Sequence, residues 1–195
     1  MISNTKNKIH EIFHQALEIF RKKMDAYGPA WIGFSYLGFA DQIYIKAYRY
    51  KTLIHAKNRK IPDPPELELY AIINYCILFL ISRDREVISY IFNSPTAMFE
   101  PPSLNAQEKL LRAYEREIHT TIELHLKKDH DYGSAWQGLS NEGIADMIFS
   151  KVIRMKAMLS SGKTPSDDAD TDGIAATLRD LINYSAFALV LRKAV

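Results

Sequence analysis

Four charged side chains in residues 140–161 have the types and the spacing of a surface that binds phosphate and a metal ion: Glu142, Asp146, Lys151 and Arg154. On an α-helix, Arg154 lies about 80° from Asp146, Lys151 about 60° beyond it, and Glu142 about 40° to the other side. Carboxylate oxygens suit Mg²⁺, whereas lysine and arginine bind phosphate oxygens. The pattern predicts a Mg²⁺–polyphosphate site in which Asp146, Lys151 and Arg154 are catalytic. The alternative is a solvated helix face whose ion pairs are each worth about 0.2–0.5 kcal/mol.

The apolar segment "LRDLINYSAFALVL" (178–191) carries two polar residues, Asp180 and Asn183, on one helix face. Buried polar groups have to be paired or coordinated. We predict that Asp180 is a metal ligand together with Glu142, Asp146 and Asp131, and that Asn183 binds the nucleotide. The alternative for Asp180 and Asn183 is an interhelical hydrogen bond that fixes the register of the helices.

The phrase "HDYGSAW" (130–136) supplies two aromatic rings next to these polar residues. Tyr132 and Trp136 are candidates for stacking on a base, with Lys151, Arg154 and Asn183 as the other nucleotide-binding residues. The alternative is that the tryptophan anchors the core, with the tyrosine packed beside it.

The same phrase occurs earlier as "DAYGPAW" (25–31), and it belongs to an internal duplication. Residues 27–51 and 132–156 are identical at 13 of 25 positions at a constant offset of 105. Downstream, "IINYCILFLISR" (72–83) parallels "LINYSAFALVLR" (181–192) at an offset of 109. The first repeat has Ala26, Leu37 and Ala71 where the second has Asp131, Glu142 and Asp180. The second repeat therefore holds the more complete site.

Each repeat has the apolar spacing of three helices, and no segment has the alternation of a strand. The expected helices are 6–24, 37–57 and 66–84 in the first repeat and 105–128, 141–161 and 174–193 in the second. We predict one all-α domain over 1–195, a six-helix bundle in which two tandem three-helix repeats, 6–92 and 105–194, are related by a pseudo-two-fold axis. The proline-rich residues 93–104 connect the repeats.

The composition is that of a soluble globular protein, with 47% apolar and 25% charged residues. A net charge of +2 gives no strong nucleic-acid footprint. The longest apolar run (70–81) is too short to span a bilayer, and the N-terminal residues lack the pattern of a signal peptide. With a single cysteine, Cys76, we expect a cytoplasmic protein without a membrane partner. The oligomeric state stays open, a homo-oligomer included.

The stretch "KKDHDYGSAWQGLSNEGIADMIFSKVIRMKAML", followed by "RDLINYSAFALVL", resembles the nucleotide modification associated domain family. The resemblance covers nearly the whole chain as two tandem copies, and it implies a role linked to nucleotide or base modification. The helical plan is more distantly similar to the MazG-like all-α nucleoside triphosphate pyrophosphatases, although their E-x-x-E and E-x-x-D pairs are absent here.

The leading hypothesis is a Mg²⁺-dependent nucleotide-binding protein, with nucleotide phosphohydrolysis as the candidate reaction. The competing hypothesis is a non-catalytic helical interaction module in which the repeated Asp, Lys and Arg residues form interhelical salt bridges. These two hypotheses differ in whether the charges that recur in both repeats face a ligand or each other.

Overall fold

The computed structural model describes residues 2–56, 58–91, 103–165 and 173–192, which contain α-helices and 3₁₀-helices and no strand. The prediction of an all-α protein is thus confirmed. The α-helices are α1 (Ile2–Tyr27), α2 (Tyr36–Leu53), α3 (Glu66–Ile81), α4 (Arg85–Ile91), α5 (Leu104–Tyr132), α6 (Asn141–Ser160) and α7 (Ile174–Arg192). Two short 3₁₀-helices, Ala30–Gly33 and Ala135–Gly138, hold the two tryptophans.

Helices α1 and α5 extend further than the sequence predicts, because the first half of the repeated phrase is helical. They end at Tyr27 and Tyr132, where ends at 24 and 128 were expected. The chain leaves each helix at a glycine with a left-handed backbone, Gly28 (φ 63°) and Gly133 (φ 61°). Other residues pay a steric penalty in that conformation, which explains why glycine recurs in both repeats.

The starts of α2 and α6 are also duplicated in detail. Ser35 Oγ accepts a hydrogen bond from the Gly38 amide at 3.0 Å, and Ser140 Oγ accepts one from the Gly143 amide at 2.9 Å. Such N-caps satisfy backbone donors that have no partner inside the helix. The equivalent caps start the two charged helices at equivalent points.

The packing of the helices has the pattern that a pseudo-two-fold axis produces. Helix α2 packs against its counterpart α6, and α3 packs against its counterpart α7. The α2–α3 contact is matched by α6–α7, and the α1–α7 contact is matched by α5–α3. The two repeats therefore share one core, with α3 and α7 buried at its centre.

Helix α7 is long and apolar enough to cross a membrane, but 72% of its apolar window is buried inside the protein. This degree of burial is typical of a core helix. The described residues contain one α-helix more than the six expected. The helix predicted over 66–84 ends at Ile81, and the short helix α4 begins at Arg85. Of the predicted connector 93–104, residues 93–102 lie outside the described part of the chain.

Candidate nucleotide-binding pocket

A pocket of about 440 Å³ lies in the second repeat between α5, the 3₁₀-helix Ala135–Gly138, α6 and α7. We call it the second pocket. Its polar lining comes from α5 and α7, and its walls are mainly aromatic and aliphatic. The lining includes His125, Lys128, Asp129, Trp136, Leu139, Met147, Asp180, Asn183, Tyr184 and Phe187. Its size and mixed lining are those of a small-molecule site.

Asp180 is held by two lysines at one side of this pocket. Its carboxylate accepts hydrogen bonds from Lys128 Nζ (2.8 Å) and Lys151 Nζ (2.7 Å). Burial alone would raise the pKa of Asp180, but the hydrogen bonds and positive charges of Lys128 and Lys151 outweigh it and lower the pKa below its usual value. Asp180 is therefore ionised at neutral pH, and it joins α7 to α5 and α6.

Asp129 fixes the tryptophan of the repeated phrase. Its carboxylate accepts from Trp136 Nε1 at 3.1 Å and from Ser134 Oγ at 2.8 Å. The indole ring stacks on Phe187 with centroids 4.2 Å apart and planes 11° apart. Trp136 is thus a core anchor, as the alternative interpretation held, and one edge of it also lines the pocket.

Asp129 and His125 also line the pocket, although the sequence pattern did not predict either of them. His125 is 6% exposed and packs against Trp136 and Phe187. Burial, as the largest influence, lowers the pKa of His125, so the imidazole is neutral at pH 7. A usable signal was the comparison between repeats, because Phe20 and Met24 stand where the second repeat has His125 and Asp129.

Asn183 is a polar residue of the pocket that has no hydrogen-bond partner within the described residues. It is 7% exposed and lines the second pocket, and within the described part of the chain its amide makes no hydrogen bond. Its counterpart Asn74 accepts a hydrogen bond from the hydroxyl of Tyr114. At the offset of 105, Tyr114 corresponds to Ile9, which cannot donate. The Asn183 amide faces the pocket and is therefore available to a ligand.

The first repeat has an equivalent pocket of about 400 Å³, the first pocket. Ten residues that line the second pocket have counterparts in its lining. Three of the replacements remove charge or polarity: Phe20 for His125, Met24 for Asp129 and Ala71 for Asp180. Without an acceptor at Met24, Trp31 Nε1 is buried and makes no hydrogen bond within the described residues.

The duplication and both pockets coincide with the segments that a known protein family shares. The sequence profile described as nucleotide modification associated domain 1 matches residues 22–82 and again residues 128–191. The chain belongs to this family. No curated protein and no solved structure matches the chain. The expected similarity to MazG-like pyrophosphatases therefore stays a prediction.

The two segments matched to the nucleotide modification associated domain 1 family include every side chain of the second pocket except His125. They begin at Lys22 and at Lys128, and they end at Ser82, directly after α3, and at Leu191 in α7. Each matched segment thus covers the loop with its tryptophan and the two helices that follow it.

The structure places Asp146 away from the pocket, so the predicted convergence of Glu142, Asp146, Asp180 and Asn183 is wrong. Asp146 Oδ1 binds Lys51 Nζ of the first repeat at 2.7 Å, and its side chain is 64% exposed. The reciprocal pair joins Lys156 Nζ to Asp41 Oδ1 at 2.6 Å. Helical angles place Asp146 on one broad face with Lys151 and Arg154, but Lys151 binds Asp180 of its own repeat whereas Asp146 binds α2 of the other. Asp146 therefore pairs α6 with α2.

The other predicted site residues are dispersed. Glu142 is an exposed residue in the first turn of α6, Asp131 is 73% exposed beside His130, and Arg154 is half-buried. None of these three lines the second pocket, and the side chain of Tyr132 lies outside the described residues. Among the predicted residues, the structure brings together Lys151, Asp180, Asn183 and Trp136.

The described residues do not fit the predicted Mg²⁺ site. Across residues 2–56, 58–91, 103–165 and 173–192, no group of three His, Cys, Asp or Glu residues is placed to hold a metal ion. Asp180 already accepts from two lysines, and Asp129 accepts from Trp136 and Ser134. A metal ligand set of Glu142, Asp146, Asp180 and Asp131 does not form.

Proposed function

We propose that the protein binds a nucleotide in the second pocket, with Asn183 recognising the base. The observation that carries this proposal is the Asn183 amide, which is buried, lines the pocket and has no partner in the described part of the chain. A carboxamide offers one acceptor and two donors, and a nucleobase edge presents the complementary groups side by side. Membership of a nucleotide-associated family supports the same ligand class.

The walls of the second pocket suit a planar ring. Tyr184 is half-buried, and burial raises the pKa of its hydroxyl, with the charge of Asp180 adding to the effect. It stands at right angles to Phe187, which is already covered by Trp136. A base entering the pocket therefore stacks on Tyr184, while Trp136 keeps the wall rigid. The volume of about 440 Å³ holds a nucleoside.

The phosphate end of the ligand requires a cation that can leave its present partner. Lys128 is 45% exposed, whereas Lys151 is 25% exposed, and both bind Asp180. Lys128 can turn toward a phosphate while Lys151 keeps the Asp180 carboxylate neutralised. In this arrangement the ligand replaces one of two ion pairs and leaves no charge unpaired in the pocket.

The function we propose is the binding of a nucleotide, without a hydrolytic step. Because the carboxylates of the pocket are committed to protein donors, Mg²⁺ has no protein ligands there, and it enters only as a counter-ion of the nucleotide. The sequence offered two hypotheses. Interhelical salt bridges account for Asp41 and Asp146, whose exposed carboxylates form the reciprocal pairs with lysine. The nucleotide hypothesis describes the pocket.

Titration calorimetry with a panel of nucleoside mono- and triphosphates, in Mg²⁺ and in EDTA, tests this proposal. Replacing Asn183→Ala should weaken the binding of the preferred nucleotide at least about tenfold, since a hydrogen bond in a closed site is worth about 1.4 kcal/mol. Affinity for a nucleoside monophosphate should be the same in EDTA. The control is Asp131→Asn, whose side chain is 73% exposed and does not line the second pocket.

Equal affinity in the wild type and the Asn183→Ala variant would refute the assignment of this pocket. Strict dependence of monophosphate binding on Mg²⁺ would restore the metal site that the sequence predicted.

A further inference from the structure

The two equivalent pockets of this chain differ in the hydrogen-bonding groups they offer. The second pocket contains the carboxylates Asp129 and Asp180 and the complete amide of Asn183. Within the described residues, no carboxylate lines the first pocket, because Met24 and Ala71 stand at the two equivalent positions. A hydrogen-bond donor of a ligand can be accepted by the Asn183 oxygen in the second pocket, whereas the Asn74 oxygen of the first pocket already accepts from Tyr114.

Apart from the hydroxyls of Tyr27 and Tyr75, which can donate or accept, the side-chain polar groups of the first pocket that lack a protein acceptor are donors. Asn74 is 7% exposed and uses its oxygen to accept from Tyr114, so its NH₂ group is left for the pocket. Trp31 Nε1 lacks an acceptor because Met24 replaces Asp129. Lys23 is exposed at the rim and forms no ion pair in the described part of the chain, since Ala71 replaces the aspartate that binds its counterpart Lys128.

Neighbouring groups do not compete for these donors. Lys46, the counterpart of Lys151, is bound to the buried Glu68 at 3.3 Å, and Arg49 binds the same carboxylate at 2.7 Å. Burial raises the pKa of the Tyr75 hydroxyl, so this wall of the pocket stays uncharged. Met24 lines the same pocket, and its unbranched side chain can change rotamer to admit a ligand to the buried Trp31 Nε1.

We infer that the first pocket is a second ligand site, specific for an anionic ligand whose flat ring carries carbonyl oxygens. A uracil-type nucleoside monophosphate has this chemistry: ring oxygens accept from Asn74 and Trp31, and the phosphate binds Lys23. The aromatic residues Phe34 and Tyr75 cover the ring. A ring with an exocyclic amino group, as in cytosine, would set a donor against the donors of Asn74 and Trp31, which sites of this kind reject strongly. This inference stands on residues that the proposed function does not use.

Each pocket contains one of the two tryptophans of the chain, so each can be followed separately. In a Trp136→Phe variant, Trp31 is the sole source of tryptophan fluorescence. UMP should change this fluorescence saturably and bind at least about tenfold more tightly than CMP. In the matched Trp31→Phe variant, Trp136 reports the second pocket, where that preference should be absent.

Two further substitutions test the donors. Lys23→Gln should weaken UMP binding to the first pocket about tenfold, without effect on the second pocket. Ala71→Asp should abolish UMP binding to the first pocket. It introduces a carboxylate at the position equivalent to Asp180, which binds two lysines in the second repeat, and this carboxylate would take Lys23 from the phosphate.

Calorimetry on the Asn183→Ala protein provides a measurement that does not depend on the tryptophan variants. It should still show one UMP site per chain, and Ala71→Asp in the same protein should remove it. Absence of that site, or CMP binding to it as tightly as UMP, would overturn the inference. If Asn183→Ala weakens the binding of no nucleotide, only the assignment of the second pocket is refuted. The fluorescence of the Trp136→Phe variant then decides whether the first pocket binds UMP.

Discussion

Single residues decide which of the two equivalent pockets is charged. Asp180 is the centre of the charged pocket, since its carboxylate forms ion pairs with both Lys128 and Lys151. Its counterpart Ala71 leaves one lysine free and another to pair with Glu68. One substitution thus changes the partners of two cations and the class of ligand that the pocket admits.

We predict that Asp180→Asn lowers the free energy of unfolding by about 1–3 kcal/mol at pH 7, because an amide cannot neutralise two lysines. The pKa of Asp180 is lowered in the folded protein. The stabilisation is therefore fully present above the unfolded pKa of about 3.9 and is lost as the pH falls through the lower folded value.

Urea denaturation of the wild type and of Asp180→Asn between pH 7 and pH 2.5 measures this effect. The two free energies should differ at neutral pH and converge in acid. Asp131→Asn is the control, since that side chain is 73% exposed. A difference that grows toward low pH would contradict the assignment.

At the scale of the elements, the most regular feature is the crossing of α2 with α6. The reciprocal pairs Lys51–Asp146 and Lys156–Asp41 flank this crossing. The aliphatic stem of each lysine also brings its ammonium over an aromatic ring of the other repeat, 5.3 Å from Phe149 for one and 4.6 Å from Tyr44 for the other. The recurrence of these charges in the sequence is thus explained by helix pairing.

Asp146→Asn and Asp41→Asn should therefore have the same small effect. Each should lower the free energy of unfolding by about 0.2–1 kcal/mol, less in high salt, because both pairs are solvent-exposed. Nucleotide affinity should change by less than about twofold in either variant. Chemical denaturation and calorimetry on both proteins measure this. Loss of binding in Asp146→Asn alone would instead identify Asp146 as a ligand of the nucleotide site.

The helices and the duplication could be predicted from the sequence because apolar periodicity and repeated phrases are local signals. The partner of Asp146 could not. Helical geometry gives the side of α6 on which this residue lies, but not that α2 covers that side. Asp129 was missed because the end of α5 read as loop. The sequence did predict three residues of the pocket, because each interrupts an apolar pattern: Asp180, Asn183 and Trp136. The roles of Asp180 and Trp136, however, depend on partners that only the structure shows.

At the scale of the whole molecule, the two repeats complete one core across the pseudo-two-fold axis. Each contributes one member to the α2–α6 pair and one to the α3–α7 pair. A repeat on its own exposes both of these faces, and its most complementary partner is a second copy of itself. In such a pair, Asp146 and Lys156 of α6 supply both halves of the reciprocal ion pairs.

We predict that residues 103–195, expressed alone, form a symmetric homodimer. Light scattering after size-exclusion chromatography should give twice the mass of the fragment, and Asp146→Lys should shift the population toward monomer through like-charge repulsion. The full-length chain with the same substitution is the control, because covalent linkage keeps its repeats together. A folded monomeric fragment, or one without helical circular dichroism, would contradict this view of the interface.

The unpaired nitrogen of Trp31 has a further consequence for how such a protein can change. In a homodimer, one gene specifies both pockets, so exchanging the aspartate that holds the indole for methionine would strip the acceptor from both sites at once. Here the exchange at Met24 leaves Asp129 untouched. When both halves belong to one chain, a mutation can change one pocket without changing the other. One pocket can therefore keep its original ligand while the other acquires a new one.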